Sequence, residues 1–184
     1  IILRTNITQL PATVYFDCLQ LEEGEAANDY VPLDNTDFSN TSVIGVPIGW
    51  MTENASAADG ATGESAQFPG CQGYRMAGDL SKTKTLYQEV AINKPASDVA
   101  FSVSVKATGD TLPWELIPRT FGIRLGIYYS NGSYEVSNLV RLNPDTDATQ
   151  TVTKTICASP SKMDQTISKV RFIAEYGNNA NAAI

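Results

Sequence analysis

An all-β, antiparallel sandwich is the fold class this sequence predicts, and three observations predict it. Apolar and polar residues alternate with period two along several runs, as in strands with one face on a core and one in water. Turn signals, among them Asn131-Gly132, separate those runs at short intervals. No window of a dozen residues carries a helical stripe of apolar side chains. Many short strands with frequent turns build an antiparallel sandwich or barrel.

Each element can be justified in turn. Thr13–Leu21 and Thr85–Ile92 are strand candidates. Val99, Phe101, Val103 and Val105 alternate with Ala100, Ser102, Ser104 and Lys106. Phe121, Ile123, Leu125, Ile127 and Tyr129 alternate with Gly122, Arg124, Gly126, Tyr128 and Ser130. Asn131-Gly132 supplies the positive φ values of a tight hairpin, and Ser133–Leu142 runs back as its second strand. Gln150–Cys157 and Thr166–Tyr176 complete the set. Glu53–Gly73, rich in Ala, Gly, Ser and Asp, is expected as a long surface loop, and Gly109–Arg119, with two prolines and Trp114, as a second.

Composition narrows the function. The 184 residues suffice for one well-filled domain, and 42% hydrophobic residues with 18% charged describe a globular chain. A net charge of −7, spread without runs, disfavours nucleic acid and anionic membrane, which both need a basic patch. No stretch approaches the roughly 20 apolar residues of a membrane helix, so no membrane insertion is expected. The chain contains no histidine, which removes the commonest general acid/base and any Ser-His-Asp or Cys-His arrangement. Of the three cysteines, Cys18 and Cys157 fall in strand-like runs and are read as buried, inert thiols; Cys71 lies in the first long loop. An oxidising compartment would allow one pair to form a disulfide, and the sequence does not choose the pair.

A partial repeat joins the two ends. Ile1-Ile2-Leu3-Arg4 resembles Val170-Arg171-Phe172-Ile173, and Ala12-Thr13-Val14-Tyr15 resembles Asn181-Ala182-Ala183-Ile184. Residues 1–24 are therefore expected to be the last hairpin of a preceding module, and 25–184 a module without its own final strand. Thr13–Leu21 would then fill the open edge, within its own chain or in a strand-swapped homo-oligomer.

Family motifs follow the same register. Val14-Tyr15-Phe16-Asp17-Cys18-Leu19-Gln20-Leu21-Glu22-Glu23-Gly24, followed by Ala27-Asn28-Asp29-Tyr30, resembles the "YFDxIQLEEG…ANxYN" segment of RHS/YD-repeat and DNRLRE-type wall-associated bacterial surface proteins. Leu33-Asp34-Asn35-Thr36-Asp37-Phe38-Ser39-Asn40 with Gly49-Trp50 is similar to their module start, "LxNGDFSNG…GW". Tyr87-Gln88-Glu89-Val90, Phe121-Gly122-Ile123, Tyr128 to Tyr134, Asn143 to Thr146 and Tyr176 to Asn181 fall in that family's order. The resemblance implies a carbohydrate-binding-like jelly roll, a galactose-binding-like sandwich, in a secreted, cell-wall-attached parent, with neighbouring modules of that parent as partners. It names no ligand.

Candidate chemistry lies on the outward strand faces. If the apolar sets face the core, then Tyr87, Glu89, Ser102, Ser104, Lys106, Arg124, Tyr128, Arg141, Arg171 and Glu175 face out. Such a face reads first as solvated and laced with cross-strand ion pairs. Tyrosines among arginines and acids also suit a polysaccharide or cell-surface glycan, with rings covering pyranose faces and charged planar groups meeting hydroxyls. Tyr87, Glu89, Trp114, Arg124, Tyr128 and Arg141 are accordingly the candidate ligand-binding residues. Trp114 is either an exposed stacking platform or a cap on the core, whereas Trp50, after an apolar run, is a core residue.

The alternatives are a structural spacer without ligand and a glycoside hydrolase fragment, for which Glu89 and Glu175 would be the paired carboxylates. No catalytic residue is assigned, and no cofactor is required. A structural calcium is implied only through the resemblance, near Asp17, Asn35 and Asp37, although Ser39 stands where a glutamate ligand is common in related jelly rolls. Asp59 and the Asp145-Thr146-Asp147 turn lack the ladder of oxygens a calcium loop needs and read as polar turns. Four glycosylation triplets, at Asn6, Asn40, Asn54 and Asn131, are read as chance.

Overall fold

The computed structural model describes residues 33–63, 72–79, 81–107, 120–142 and 152–177. Residues 1–24 with Asp17, Cys18 and the Thr13–Leu21 strand lie outside the described residues. So do Cys71, the Gly109–Arg119 loop with Trp114, the Asp145-Thr146-Asp147 turn and the end of the chain beyond Gly177.

The described residues form ten strands and a single 3₁₀ turn, Ala96–Asp98. In chain order the strands are β1 (Met51–Glu53), β2 (Gly60–Thr62), β3 (Gly73–Arg75), β4 (Lys84–Pro95) and β5 (Phe101–Ala107). They continue as β6 (Thr120–Tyr129), β7 (Tyr134–Val136), β8 (Val140–Arg141), β9 (Val152–Ala158) and β10 (Thr166–Gly177). Six of them form one antiparallel sheet in the order β1-β4-β10-β6-β7, with β8 also on β6. A second sheet pairs β5 with β9, and a small hairpin pairs β2 with β3. No helix among the described residues is long and apolar enough to cross a membrane.

The fold is all-β and antiparallel, as the alternation predicts. Leu86 on β4, Val170, Phe172 and Tyr176 on β10, and Phe121, Ile123, Leu125, Ile127 and Tyr129 on β6 are buried together. Ile156 and Ala107 join them from the β5–β9 sheet in one hydrophobic cluster, which makes the two sheets the layers of a sandwich. Each such side chain contributes about 1.5–3 kcal/mol by leaving water. Trp50 sits in this core as expected, edge-on to Phe172 and Phe38 at 5.8 and 5.3 Å between ring centroids. Its indole N–H donates to the carbonyl oxygen of Asp34 at 2.9 Å.

Two residues on the buried side of β4 are polar or charged, Lys84 and Gln88. Gln88 is buried, and its amide nitrogen donates to the carbonyls of Asp34 and Gly49, both at 3.1 Å. Its amide oxygen accepts from the Asp34 N–H at 2.7 Å. A buried amide with these partners is satisfied, and it ties residues 34–49 to the sheet.

Several expectations need correction. Glu53–Gly73 is not simply a loop: Gly60–Thr62 pairs with Gly73–Arg75, and Glu53 pairs with Thr85. Polar, small-residue composition hid strands too short to show alternation. The return strand after the hairpin is split into β7 and β8, because Ser137 turns out of the ladder; its Oγ accepts from the Leu125 N–H at 3.0 Å. Within the hairpin only Gly132 has positive φ, at 83°. The Gly132 N–H donates to Tyr129 C=O at 3.0 Å and the Tyr129 N–H to Ser133 C=O at 2.9 Å, which makes a three-residue loop of Ser130, Asn131 and Gly132. Cys157 is on β9 as expected but carries a free, exposed thiol, because Ile156 takes the core-facing position beside it.

Candidate functional site

The outward residues predicted as one group divide between the two sheets. Ser102, Ser104 and Lys106 are exposed on β5, across from Cys157, Thr155 and Thr153 of β9. Tyr87, Glu89, Arg124, Tyr128, Arg141, Arg171 and Glu175 are on the six-stranded sheet. Period-two alternation says that a residue faces out; it does not say from which sheet.

Strand register sets the layout of that face. Met51, Tyr87, Ile173 and Arg124 form one row across β1, β4, β10 and β6. Glu89, Arg171, Gly126 and Val136 form the next, across β4, β10, β6 and β7. Lys169, Tyr128 and Tyr134 form the row beyond, brought into line by a bulge between Ile167 and Lys169. On the other side lies the row Glu53, Thr85, Glu175, Gly122 and Arg141.

An aromatic and cationic ladder runs diagonally over these rows. The Arg171 guanidinium lies 4.4 Å from the centroid of the Tyr87 ring and 5.3 Å from that of Tyr128. The Lys169 ammonium is 4.9 Å from the Tyr128 centroid. On the other side of β6, Tyr134 stacks on Tyr128 at 5.7 Å with 20° between planes. Tyr128 is therefore the middle slab of the ladder, and Tyr134, 63% exposed, presents the open ring. Gly126 makes room: a Cβ there would come within 3.2 Å of the Tyr128 ring.

Ion pairs fix the ladder. Glu89 accepts from Lys169 at 2.7 Å and from Nε of Arg171 at 2.9 Å, with Arg171 Nη2 also on it. The Lys169 ammonium, with Arg171 behind it, holds the Glu89 carboxyl below the usual carboxylate range. Arg124 forks onto Glu175, Nε to Oε2 at 3.0 Å and Nη2 to Oε1 at 3.2 Å. Beside this pair is an open depression of about 330 Å³, lined by Glu53, Thr85, Tyr87, Arg124, Val136, Arg171, Ile173 and Glu175. The Thr85 hydroxyl is buried and has no hydrogen-bond partner among the described residues.

Of the predicted ligand-binding residues, Tyr87, Glu89, Arg124 and Tyr128 share this face and this network. Arg141 is on the same sheet, exposed, across from Gly122. Tyr134 and Lys169 were missed. A two-residue turn at Asn131-Gly132 would set Tyr134 opposite Tyr129, on the core side; the three-residue loop sets it opposite Tyr128. Lys169 was missed because the bulge at Ser168 interrupts the alternation on β10.

The residues suggested for calcium are used otherwise. Asn35 donates through its amide nitrogen to the carbonyls of Asn40 and Ile48, at 2.7 and 3.0 Å, and accepts from the Asn40 N–H at 3.1 Å. Asp37 is exposed and accepts from the Ser39 N–H at 3.2 Å, which with the Ser39 hydroxyl lowers its carboxyl. Asp17, the third residue suggested for calcium, lies outside the described residues. Asp59, read as part of a polar turn, is instead buried against Lys84 at 2.8 Å, their side chains 2% and 3% exposed.

No protein-family model and no curated protein matches the chain. Several solved structures superpose on it in part. TmCBM61 in complex with β-1,4-galactotriose superposes with a TM-score of 0.49 at 13% identity, covering 85% of this chain and 92% of that one. Family 16 Carbohydrate Binding Module-2 gives 0.48 at 19% identity, over 78% and 93% of the two chains. A cyclase from Fischerella sp. TAU gives 0.45 at 19% identity, over 84% and 96%. At such low identity the likeness says nothing about what this chain binds.

Proposed function

We propose that this chain is a non-catalytic glycan-binding module of a secreted, modular bacterial surface protein, acting at the cell surface or wall. The reading rests on the ladder of Tyr87, Arg171, Tyr128 and Tyr134, held by Glu89 and ending in an exposed ring. Such a face offers a stacking plane for a pyranose beside planar charged groups and phenol hydroxyls that can meet sugar hydroxyls.

Hydrolysis is the weaker reading. A glycosidase acid must hold a proton at working pH, and Glu89 is held below the ordinary carboxylate range. Glu175 is forked by Arg124. The spacer reading is favoured by one observation, the pairing of these same charges with one another, which a merely solvated face would also show.

Titration calorimetry against a panel of oligosaccharides, β-1,4-galactotriose among them, separates the readings. Saturable binding is expected, weakened about tenfold by Tyr134→Ala, a loss of about 1.4 kcal/mol. Tm should stay nearly unchanged, since that ring is largely exposed. A panel without any binding would leave the spacer, and release of reducing ends would revive the hydrolase.

A further inference from the structure

Charge is unevenly shared along the ladder. Two cations, Lys169 and Arg171, converge on the single carboxylate of Glu89, whereas Arg124 and Glu175 pair one to one. Lys169 and Arg171 are 36% and 23% exposed in their side chains, so the excess positive charge is open to solvent. The only hydrogen bond of the Lys169 ammonium among the described residues is to Glu89, and Nη1 of Arg171 makes none. This local surplus stands on a chain whose net charge is −7. The two cations lie against Tyr128, and the exposed ring of Tyr134 stacks on the other side of that tyrosine.

We infer that the glycan recognised by this face is acidic, with a uronate carboxylate set against Lys169 and Arg171 while a neighbouring sugar of the same glycan rests on the Tyr134 end of the ladder. The inference rests on the glycan-binding reading and deepens it. A carboxylate suits the site better than a sulfate ester. Glu89 already shows that the two cations can share a flat, two-oxygen anion. The global negative charge opposes a polyanion at long range, so selectivity comes from these two side chains and not from steering.

The test compares an oligouronate with its carboxyl-reduced counterpart of the same length, and with a sulfated oligosaccharide, by calorimetry on the full chain. The oligouronate is expected to bind about tenfold more tightly than the reduced form. Lys169→Gln should bring that ratio close to one while the melting temperature holds. Lys154→Gln, exposed on β9 in the other sheet, should leave the ratio unchanged. Equal binding of the reduced glycan to the native chain would overturn the acidic preference and leave glycan binding standing. Equal binding of the sulfated sugar would overturn the choice of carboxylate. Failure of all three glycans together with the neutral panel would remove the underlying reading as well.

Discussion

Two clusters of opposite charges in this molecule use the same chemistry to different ends. Asp59 and Lys84 are buried, with side chains 2% and 3% exposed, and the Asp59 carboxylate also accepts from the N–H groups of Ser56 and Ala77 at 2.5 and 2.6 Å. Glu89, Lys169 and Arg171 are partly open to water on the sheet face. The buried pair closes residues 56–59 over the start of β4, and no donor around it is left to offer a ligand. The face cluster holds side chains upright and keeps donors in reach of solvent. Burial, more than the identity of the charges, separates a structural pair from a recognition site.

The largest effect should come from breaking the buried pair. Asp59→Ala leaves an ammonium buried without its partner and is expected to cost about 3–5 kcal/mol. Thermal unfolding should show a fall in Tm on the order of 10 °C. A fall no larger than that of a surface variant would show that water reaches Lys84 and would erase the contrast.

Acid should act on the same pair. Burial alone would raise the Asp59 carboxyl, but the Lys84 ammonium and the N–H groups of Ser56 and Ala77 outweigh it and hold it below the usual value. The folded state therefore binds this proton less readily than the unfolded chain does. The stabilisation is complete above the ordinary carboxylate range and is lost as pH falls through the lowered value. Denaturant midpoints measured from neutral pH downward should drop across that window, and the drop should be shallower in Asp59→Asn. Parallel curves for the two proteins would assign the acid sensitivity to another carboxylate.

On the face, Arg124→Gln or Glu175→Gln should lower stability by less than about 1 kcal/mol, since both partners keep access to water. Chemical denaturation measures this, and a loss as large as that of Asp59→Ala would make the face structural. The smallest effect belongs to the other sheet. Cys157→Ser should change stability by no more than about 0.5 kcal/mol, and the native thiol should react promptly with a labelling reagent. A thiol that reacts only after unfolding would restore the buried position that its place in a strand suggested.

The sequence by itself determined much of this protein. Alternation in Phe121–Tyr129 and Thr166–Tyr176 marked which side chains are buried, because a strand sends neighbours to opposite faces whatever its partners. The same rule put Tyr87, Glu89, Arg124 and Tyr128 outside. Cys157 escaped it because a thiol suits either face and only Ile156 next to it decides the phase. Tertiary structure decided the rest: which sheet a strand joins, the one-residue loop difference that turns Tyr134 toward Tyr128, the bulge that brings Lys169 beside it, and the pairing of Asp59 with Lys84 across 25 residues. Local periodicity records a residue's side of its own strand, while register and pairing are set by contacts between segments far apart in the chain.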